Sequence, residues 1–294
     1  MSIVLGILEE GLIYAVMALG VYITYKILDF PDLSVDSTYP LGAAVTAALI
    51  MKGVNPVATL FISFLAGAVA GSITGFIHVK LRVRDLLSGI IVMTGLYSVN
   101  LRIAGKSNLP IFSKENIFEN SFWEKVVPEA VMPYLEVIIL LAIVLLCKVL
   151  LDLYLNTRSG YLLRATGDND VLVTSLAKDK GMVRILGLAI ANGFVALAGS
   201  IYCQHNGFFE ISTGTGTMVI CLASVIIGTK MLKRFSAVKA TSAVIIGSII
   251  YKACVSLAIS LGMRASDLKL ITSVLFLAIL VMSGNKGRKV KAHA

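Results

Sequence analysis

Long apolar runs constrain this chain more than any other feature. They cover residues 135–151, 185–203, 218–227 with its flanks, 240–261 and 270–283. Several approach the roughly 20 residues that a helix needs to cross the hydrocarbon core of a bilayer. A soluble α/β protein would break such runs far more often with Gly, Pro and Asp turns. Charged residues make up 15% of the chain, against about 25% in an ordinary soluble domain. The reading is an all-α, polytopic membrane protein, with residues 1–294 forming one integral domain. Residues 1–25 carry no basic n-region and have Glu9 and Glu10 near the start, so the first span is expected to be retained rather than cleaved as a signal peptide.

Basic residues flanking the spans set the orientation. Four clusters belong inside: Lys80, Arg82 and Arg84; Arg158, Arg164, Lys178, Lys180 and Arg184; Lys230, Lys233, Arg234 and Lys239; and Lys286, Arg288, Lys289 and Lys291. The net charge of +9 is thereby explained by loops at a membrane surface, and no nucleic acid is implied. The loop at 105–133 is different: Glu115, Glu119, Glu124 and Glu129 outweigh Lys106, Lys114 and Lys125, and the only tryptophan, Trp123, lies there. It is expected outside the cytoplasm, while 156–184 and the C-terminus are expected inside. The segment DFPDLSVDSTYPLGAA is too acidic for the inside, and the apolar run at 41–51 is too short to span. A broken or re-entrant second segment resolves both difficulties, since irregular backbone is tolerated at membrane depth where protein or a water-filled cavity covers it. The expected total is about nine or ten membrane segments.

Few residues carry chemistry. Asp32 and Asp36, with Ser34 and Ser37 between and beside them, follow Pro31 in that broken segment. Intramembrane acids are costly and default to functional hypotheses; a solvated interfacial turn is the competing reading. Lys252 falls near the middle of 240–261, where an ammonium costs about 2.5–3.5 kcal/mol to insert. It should face a water-filled path or an acidic or carbonyl partner, unless it snorkels to the interface. Gly67, Gly71 and Gly75 recur every fourth residue, a stripe that lets another helix backbone approach. The AGKS at 104–107 is not a phosphate loop, because Asn100 stands where the required glycine would be. Cys147, Cys203, Cys221 and Cys254 have no metal spacing, and His78, His205 and His293 are scattered. Neither a metal site nor a catalytic constellation is expected from this spacing.

The stretch RATGDNDVLVTSLAKDKG at 164–181 is the polar exception. Gly167 ends a turn on this reading, and Asp168 or Asn169 can cap a helix N-terminus. Asp168 and Asp170 suit the positive end, while Lys178 and Lys180 suit the negative end. Gly181 serves as a left-handed stop. A cytosolic helix of about three turns is predicted at 167–181. Large apolar anchors and abundant basic residues, which would lay such a helix on lipid, are missing. Docking into a partner is favoured, through Leu172 and Leu176 or through Thr174 and Asp170, with Ser175 alongside.

The residues at 158–201 resemble the cytoplasmic loop and following span of permease subunits of bacterial ABC importers, in the branched-chain amino acid and ribose class. Arg164, Gly167, Asp168, Asn169, Leu176, Gly181, Ala198 and Gly199 carry the resemblance. Asp32, Leu33, Ser34, Val35 and Ser37 resemble the family's DLSVGS segment, and Gly214, Gly216, Ala223 and Gly228 resemble its seventh-span region. That region usually has an acidic pair and a double glycine. Here Val219, Ile220 and Cys221 hold no acid and Thr229 follows Gly228, a departure that suits a tryptophan- and tyrosine-type sub-branch. The resemblance implies an ATP-driven importer of a small polar solute, most of all an amino acid, in the bacterial cytoplasmic membrane. It implies a homodimer or paired permease, an extracytoplasmic substrate-binding protein, and a separate ATPase that carries the ATP and Mg and docks at 167–181, with no cofactor on this chain. Asp32, Ser34, Asp36, Ser37, Thr213, Thr215 and Lys252 are the candidate path residues. The competing reading is a secondary transporter driven by an ion gradient, which would pair Lys252 with Asp32 or Asp36.

Overall fold

The computed structural model describes residues 2–120, 123, 127–128, 131–168, 179–232, 239–262 and 267–284. Helix α1 (Ser2–Val21) continues as a π turn (Tyr22–Ile27), and α2 (Val35–Met51), α3 (Pro56–Lys80) and α4 (Asp85–Ala104) follow. A short strand β1 (Asn108–Pro110) leads to α5 (Leu135–Leu155) and α6 (Arg158–Asp168). Then come α7 (Lys180–Asn206), strand β2 (Phe208–Glu210), α8 (Thr217–Met231), α9 (Ala240–Ser260) and α10 (Leu268–Gly284).

Seven helical stretches among the described residues are long and apolar enough to cross a membrane: Ile3–Ile27, Pro56–Lys80, Asp85–Ala104, Met132–Leu155, Lys180–Asn206, Ile211–Met231 and Ala240–Ser260. An eighth apolar helix, α2, has 17 residues. At 1.5 Å per residue it reaches about 25 Å, short of the ~30 Å hydrocarbon core. The seven do not reach the expected nine or ten.

Helix α7 is the spine. Of its most apolar window, 72% is buried, against 33% or less for α3, α4, α5 and α9. Three helices lie against its backbone. A Cβ added at Gly20 of α1 would strike the Ala191 carbonyl, one at Gly42 of α2 the Ala196 carbonyl, and one at Gly71 of α3 the Leu188 carbonyl. Gly67 and Gly75 of α3 meet Asn192 and Ile185 in the same way. Lipid tails are as apolar as leucine, so helix association in a membrane depends on such close packing and on interhelical hydrogen bonds. Both are present. Thr46 of α2 bonds Ser63 of α3 (2.9 Å) and Ser200 of α7 (2.5 Å), and Gln204 of α7 donates to Thr59 of α3 (3.1 Å).

The chain breaks between α1 and α2. The π turn closes with Leu28 N–H on the Ile23 carbonyl and Phe30 N–H on the Thr24 carbonyl. Asp29 adopts φ +52°, a left-handed conformation rare outside glycine, and Pro31 cannot continue a helix ladder. Helix α2 resumes at Val35 and runs parallel to α7, with Ser34 beside Asn192 and Thr46 beside Ser200. Asn192 is twelve residues into α7, about 18 Å along its axis. Helix α2 therefore begins in the middle of the bundle.

One end of the bundle carries the β pairing, which composition did not announce. Strands β1 and β2 are antiparallel, with Leu109 opposite Phe209. Both side chains are buried with Ile50, Ala104 and Cys203. The opposite end carries α6.

Replacing Gly71 by Val should force α3 off the α7 backbone. The expected cost is about 1–3 kcal/mol or more, read as a lower unfolding temperature of the purified protein. Gly95→Val is the control, because nothing lies within 4 Å of a Cβ at that glycine, and it should leave the unfolding temperature unchanged.

Candidate translocation site

The break places Asp32 and Ser34 against the middle of α7, and both are fully buried. Asp32 Oδ1 accepts from the Ser34 N–H (2.9 Å), and Oδ2 accepts from Asn192 Nδ2 (2.7 Å). Ser34 Oγ donates to Asn192 Oδ1 (3.2 Å). A buried carboxylate survives only when hydrogen-bonded or paired, and here one amide of α7 serves both Asp32 and Ser34. Gly89 of α4 closes the site, because a Cβ there would crowd Leu33 N at 2.9 Å. A solvated interfacial turn at Asp32 is thus excluded by its burial.

Asp36 lies on the first turn of α2 and reaches another helix. Its carboxylate accepts from the N–H groups of Gly216 (3.0 Å) and Met218 (2.8 Å) and from Thr217 Oγ1 (3.1 Å). The first N–H groups of a helix have no intrahelical partner, and a carboxylate there also meets the positive end of the helix dipole. Asp36 supplies the N-terminal cap of α8 from 181 residues away. Gly216 itself has φ +86°, which turns the chain into α8. Helix α8 consequently begins at the level of Asp36, in mid-bundle like α2. Ser37 is tied through its carbonyl to Asn100 Nδ2 of α4 (2.9 Å). Thr213 Oγ1 donates to the Glu210 carbonyl (2.7 Å), and Thr215 is exposed. The structure thus brings Asp36 and the 213–217 turn together, while the neighbouring Ser37 is tied to α4.

Lys252 does not meet Asp32 or Asp36, and the pairing that a gradient-driven carrier would have used is corrected. Its ammonium contacts Glu10 Oε2 of α1, a residue that sequence reasoning used only to rule out a signal peptide. It also sits 4.2 Å above the Tyr14 ring, where the ring face attracts a cation. Tyr14 stacks at 6.3 Å on Tyr39 of α2, which lies 5.6 Å from Tyr202 of α7. Tyr39 is fully buried, and its hydroxyl has no hydrogen-bond partner among the described residues. Three aromatic rings, an ammonium and a half-exposed carboxylate thus gather where α1, α2, α7 and α9 converge. Neither the rings nor Asn192 was singled out from sequence, although Asn192 is a lone amide in the apolar run 185–203.

The predicted docking helix needs correction at both ends. Gly167 is not the end of a turn but lies inside α6, as does Asp168. A Cβ at Gly167 would collide with the Ile27 carbonyl, so its small size seats α6 on the π turn. Gly181 is not a left-handed stop either. It is the second residue of α7, because Asp179 Oδ1 accepts from Gly181 N–H (2.8 Å) and caps that helix. Asn169, Asp170, Leu172, Thr174, Ser175 and Leu176 lie outside the described residues. Beside α6, a cavity of about 240 Å³ is lined by Tyr22, Asp152, Arg164, Lys239 and Thr241.

Helices that start in the interior of a bundle, around buried polar groups, are a recurring build of membrane transporters, and fold and site together define a transport permease. The chain belongs to the family of the branched-chain amino acid transport system permease component, whose model matches residues 3–283. It is 44% identical over 291 residues to a tyrosine transport system permease protein of Clostridioides difficile, covering 99% of this chain and 94% of that one. It is 34% identical to the uncharacterized protein RP368 of Rickettsia prowazekii, covering 95% and 97% of the two chains. The ribose import permease protein RbsC of Escherichia coli is more distant, at 25% identity over 76% of this chain and 68% of its own. No solved structure matches the chain.

Asn192→Ala should strip Asp32 of its side-chain donor and destabilise the fold by about 1–3 kcal/mol or more. A double-mutant cycle with Asp32→Ala, read by denaturant unfolding in detergent, should return a coupling of about 0.5–3 kcal/mol. Additive effects would mean the two side chains act independently.

Proposed function

We propose that this chain is the membrane-spanning subunit of an ATP-driven importer that carries an amino acid into the bacterial cytoplasm. The observation that carries the proposal is the pair of helices, α2 and α8, that begin in mid-bundle and are joined by the Asp36 carboxylate. A path through a membrane needs polar groups that are fixed at depth yet able to separate, and two helix starts sharing one carboxylate meet that need. The substrate is an aromatic amino acid. Its carboxylate and ammonium groups match Lys252 and Glu10, and its ring matches Tyr14, Tyr39 and Tyr202. The 44% identity to a tyrosine transport permease supports this class.

The end of the bundle carrying α6 is cytoplasmic on this reading. Lys80, Arg82, Arg84, Arg158, Arg164, Lys180, Arg184, Lys230 and Lys239 belong to it, as the bias of basic residues toward the cytoplasm requires. The β-paired end, with loop 105–133, then faces outside, and the C-terminus is inside. Adding α2 and α10 to the seven long helices gives nine membrane segments. The partners are a separate ATPase that binds ATP and Mg²⁺ and docks at 167–181, an extracytoplasmic binding protein, and a second copy of this chain. Seating of α6 on the π turn through Gly167 offers a rigid route from that dock to the break at 28–34.

The test is uptake of radiolabelled tyrosine by proteoliposomes that hold this chain, its ATPase and its binding protein. ATP-dependent uptake is expected, and Lys252→Ala should lower it by roughly tenfold or more, the effect of ~1.4 kcal/mol. Leu176→Asp should abolish co-purification with the ATPase. Uptake driven by a proton gradient without ATP would overturn the proposal.

A further inference from the structure

Three helices bring ligand-type side chains together at the β-paired end, away from the rings and Lys252. Glu9 comes from α1, Glu136 from the first turn of α5 and His205 from the last turn of α7. One ligand atom from each lies within 4.8 Å of the others, and all three side chains are partly buried. His205 Nε2 stands 3.2 Å from Glu136 Oε2 and 3.7 Å from Glu9 Oε2. Around a tetrahedral Zn²⁺ with ligand bonds of ~2.0–2.2 Å, neighbouring donor atoms are about 3.3–3.6 Å apart. The two separations from His205, 3.2 and 3.7 Å, lie close to that edge length, and the third is no more than 4.8 Å.

Charge points the same way. With a neutral imidazole, two carboxylates leave the cluster at −2; one proton brings it to −1, and a divalent cation brings it to zero. Lys252 is held by Glu10 and the Tyr14 ring rather than by these carboxylates. Both ring nitrogens of His205 are buried, and neither makes an aligned hydrogen bond among the described residues. Phe118 packs edge-on against the imidazole at 5.7 Å and covers one side of the site. The C-terminal end of α7 adds the negative pole of its dipole. One imidazole with two carboxylates suits Zn²⁺ and neighbouring transition ions, whereas Ca²⁺ and Mg²⁺ prefer all-oxygen shells.

We infer that Glu9, Glu136 and His205 form a binding site for a Zn²⁺-class divalent cation that clamps the outer ends of α1, α5 and α7. The ligands are separated by 127 and 69 residues in sequence, so no spacing motif could reveal them. Three protein ligands leave a fourth position open to water. The inference stands apart from the transport reading, since it requires only these three side chains.

The test is calorimetric titration of Zn²⁺ into the full chain in lipid nanodiscs, in a Cys254→Ser, His78→Ala background that removes an exposed thiol and a distant imidazole. One equivalent should bind. His205→Ala should weaken it by at least ~100-fold, beyond the ~10–100-fold typical of losing an outer-shell partner, and Glu136→Gln should weaken it severalfold. As His205→Ala also tests folding, its unfolding temperature without metal is measured beside the parent's. A parent that binds no Zn²⁺, or a folded His205→Ala that binds it equally, would overturn the inference. Thermal stabilisation of the parent by Zn²⁺, lost in both variants, would support it.

Discussion

The architecture depends on access to one backbone. Helix α7 can be approached to carbonyl contact by α1, α2 and α3 because Gly20, Gly42 and Gly71 offer no side chain at the crossings. Remove that closeness and the interhelical bonds of Thr46, Ser63, Ser200 and Gln204 fall out of reach. In water a hydrophobic core could compensate for a loose crossing. In lipid, packing and hydrogen bonds are the terms that remain, so small residues hold the bundle together.

From that spine the polar interior follows. Asn192 projects from α7 at mid-length and fixes the non-helical residues 32–34, which fix the start of α2. Helix α2 then presents Asp36 to the first N–H groups of α8. Each step satisfies groups that would be costly to bury unpaired. The result is two helix starts inside the bundle, with Tyr39 on one of them facing Tyr14 and Tyr202. On the proposed reading these starts border the path, and the rings, Glu10 and Lys252 distinguish an aromatic amino acid from other cargo.

Much of this was legible in the sequence, and the reasons differ by element. The spans at 135–151, 185–203 and 240–261 were plain because crossing a bilayer demands unbroken apolarity. The break before α2 was plain because Pro31, Asp32 and Asp36 are poor company for a continuous helix. The partners were not. That Asp36 caps α8, or that Lys252 meets Glu10, depends on which helix faces which, and composition carries no record of that. Gly181 misled for a related reason: a glycine can end one helix or open the next, and Asp179 decided for the latter. Strand β1 is three residues long, too short for any alternation to register.

The central claim is that the junction of α2 and α8 borders the moving substrate. The direct measurement is the rate at which a membrane-impermeant thiol reagent labels Thr215→Cys in a chain whose four native cysteines have been replaced. It is made in proteoliposomes with the ATPase and binding protein, at rest and during ATP-driven uptake. Phe61→Cys, on an exposed apolar face of α3, is the reference. The account predicts that turnover with the transported amino acid changes the rate at 215 severalfold and leaves 61 unchanged. Equal rates at 215 at rest and during active uptake would contradict it.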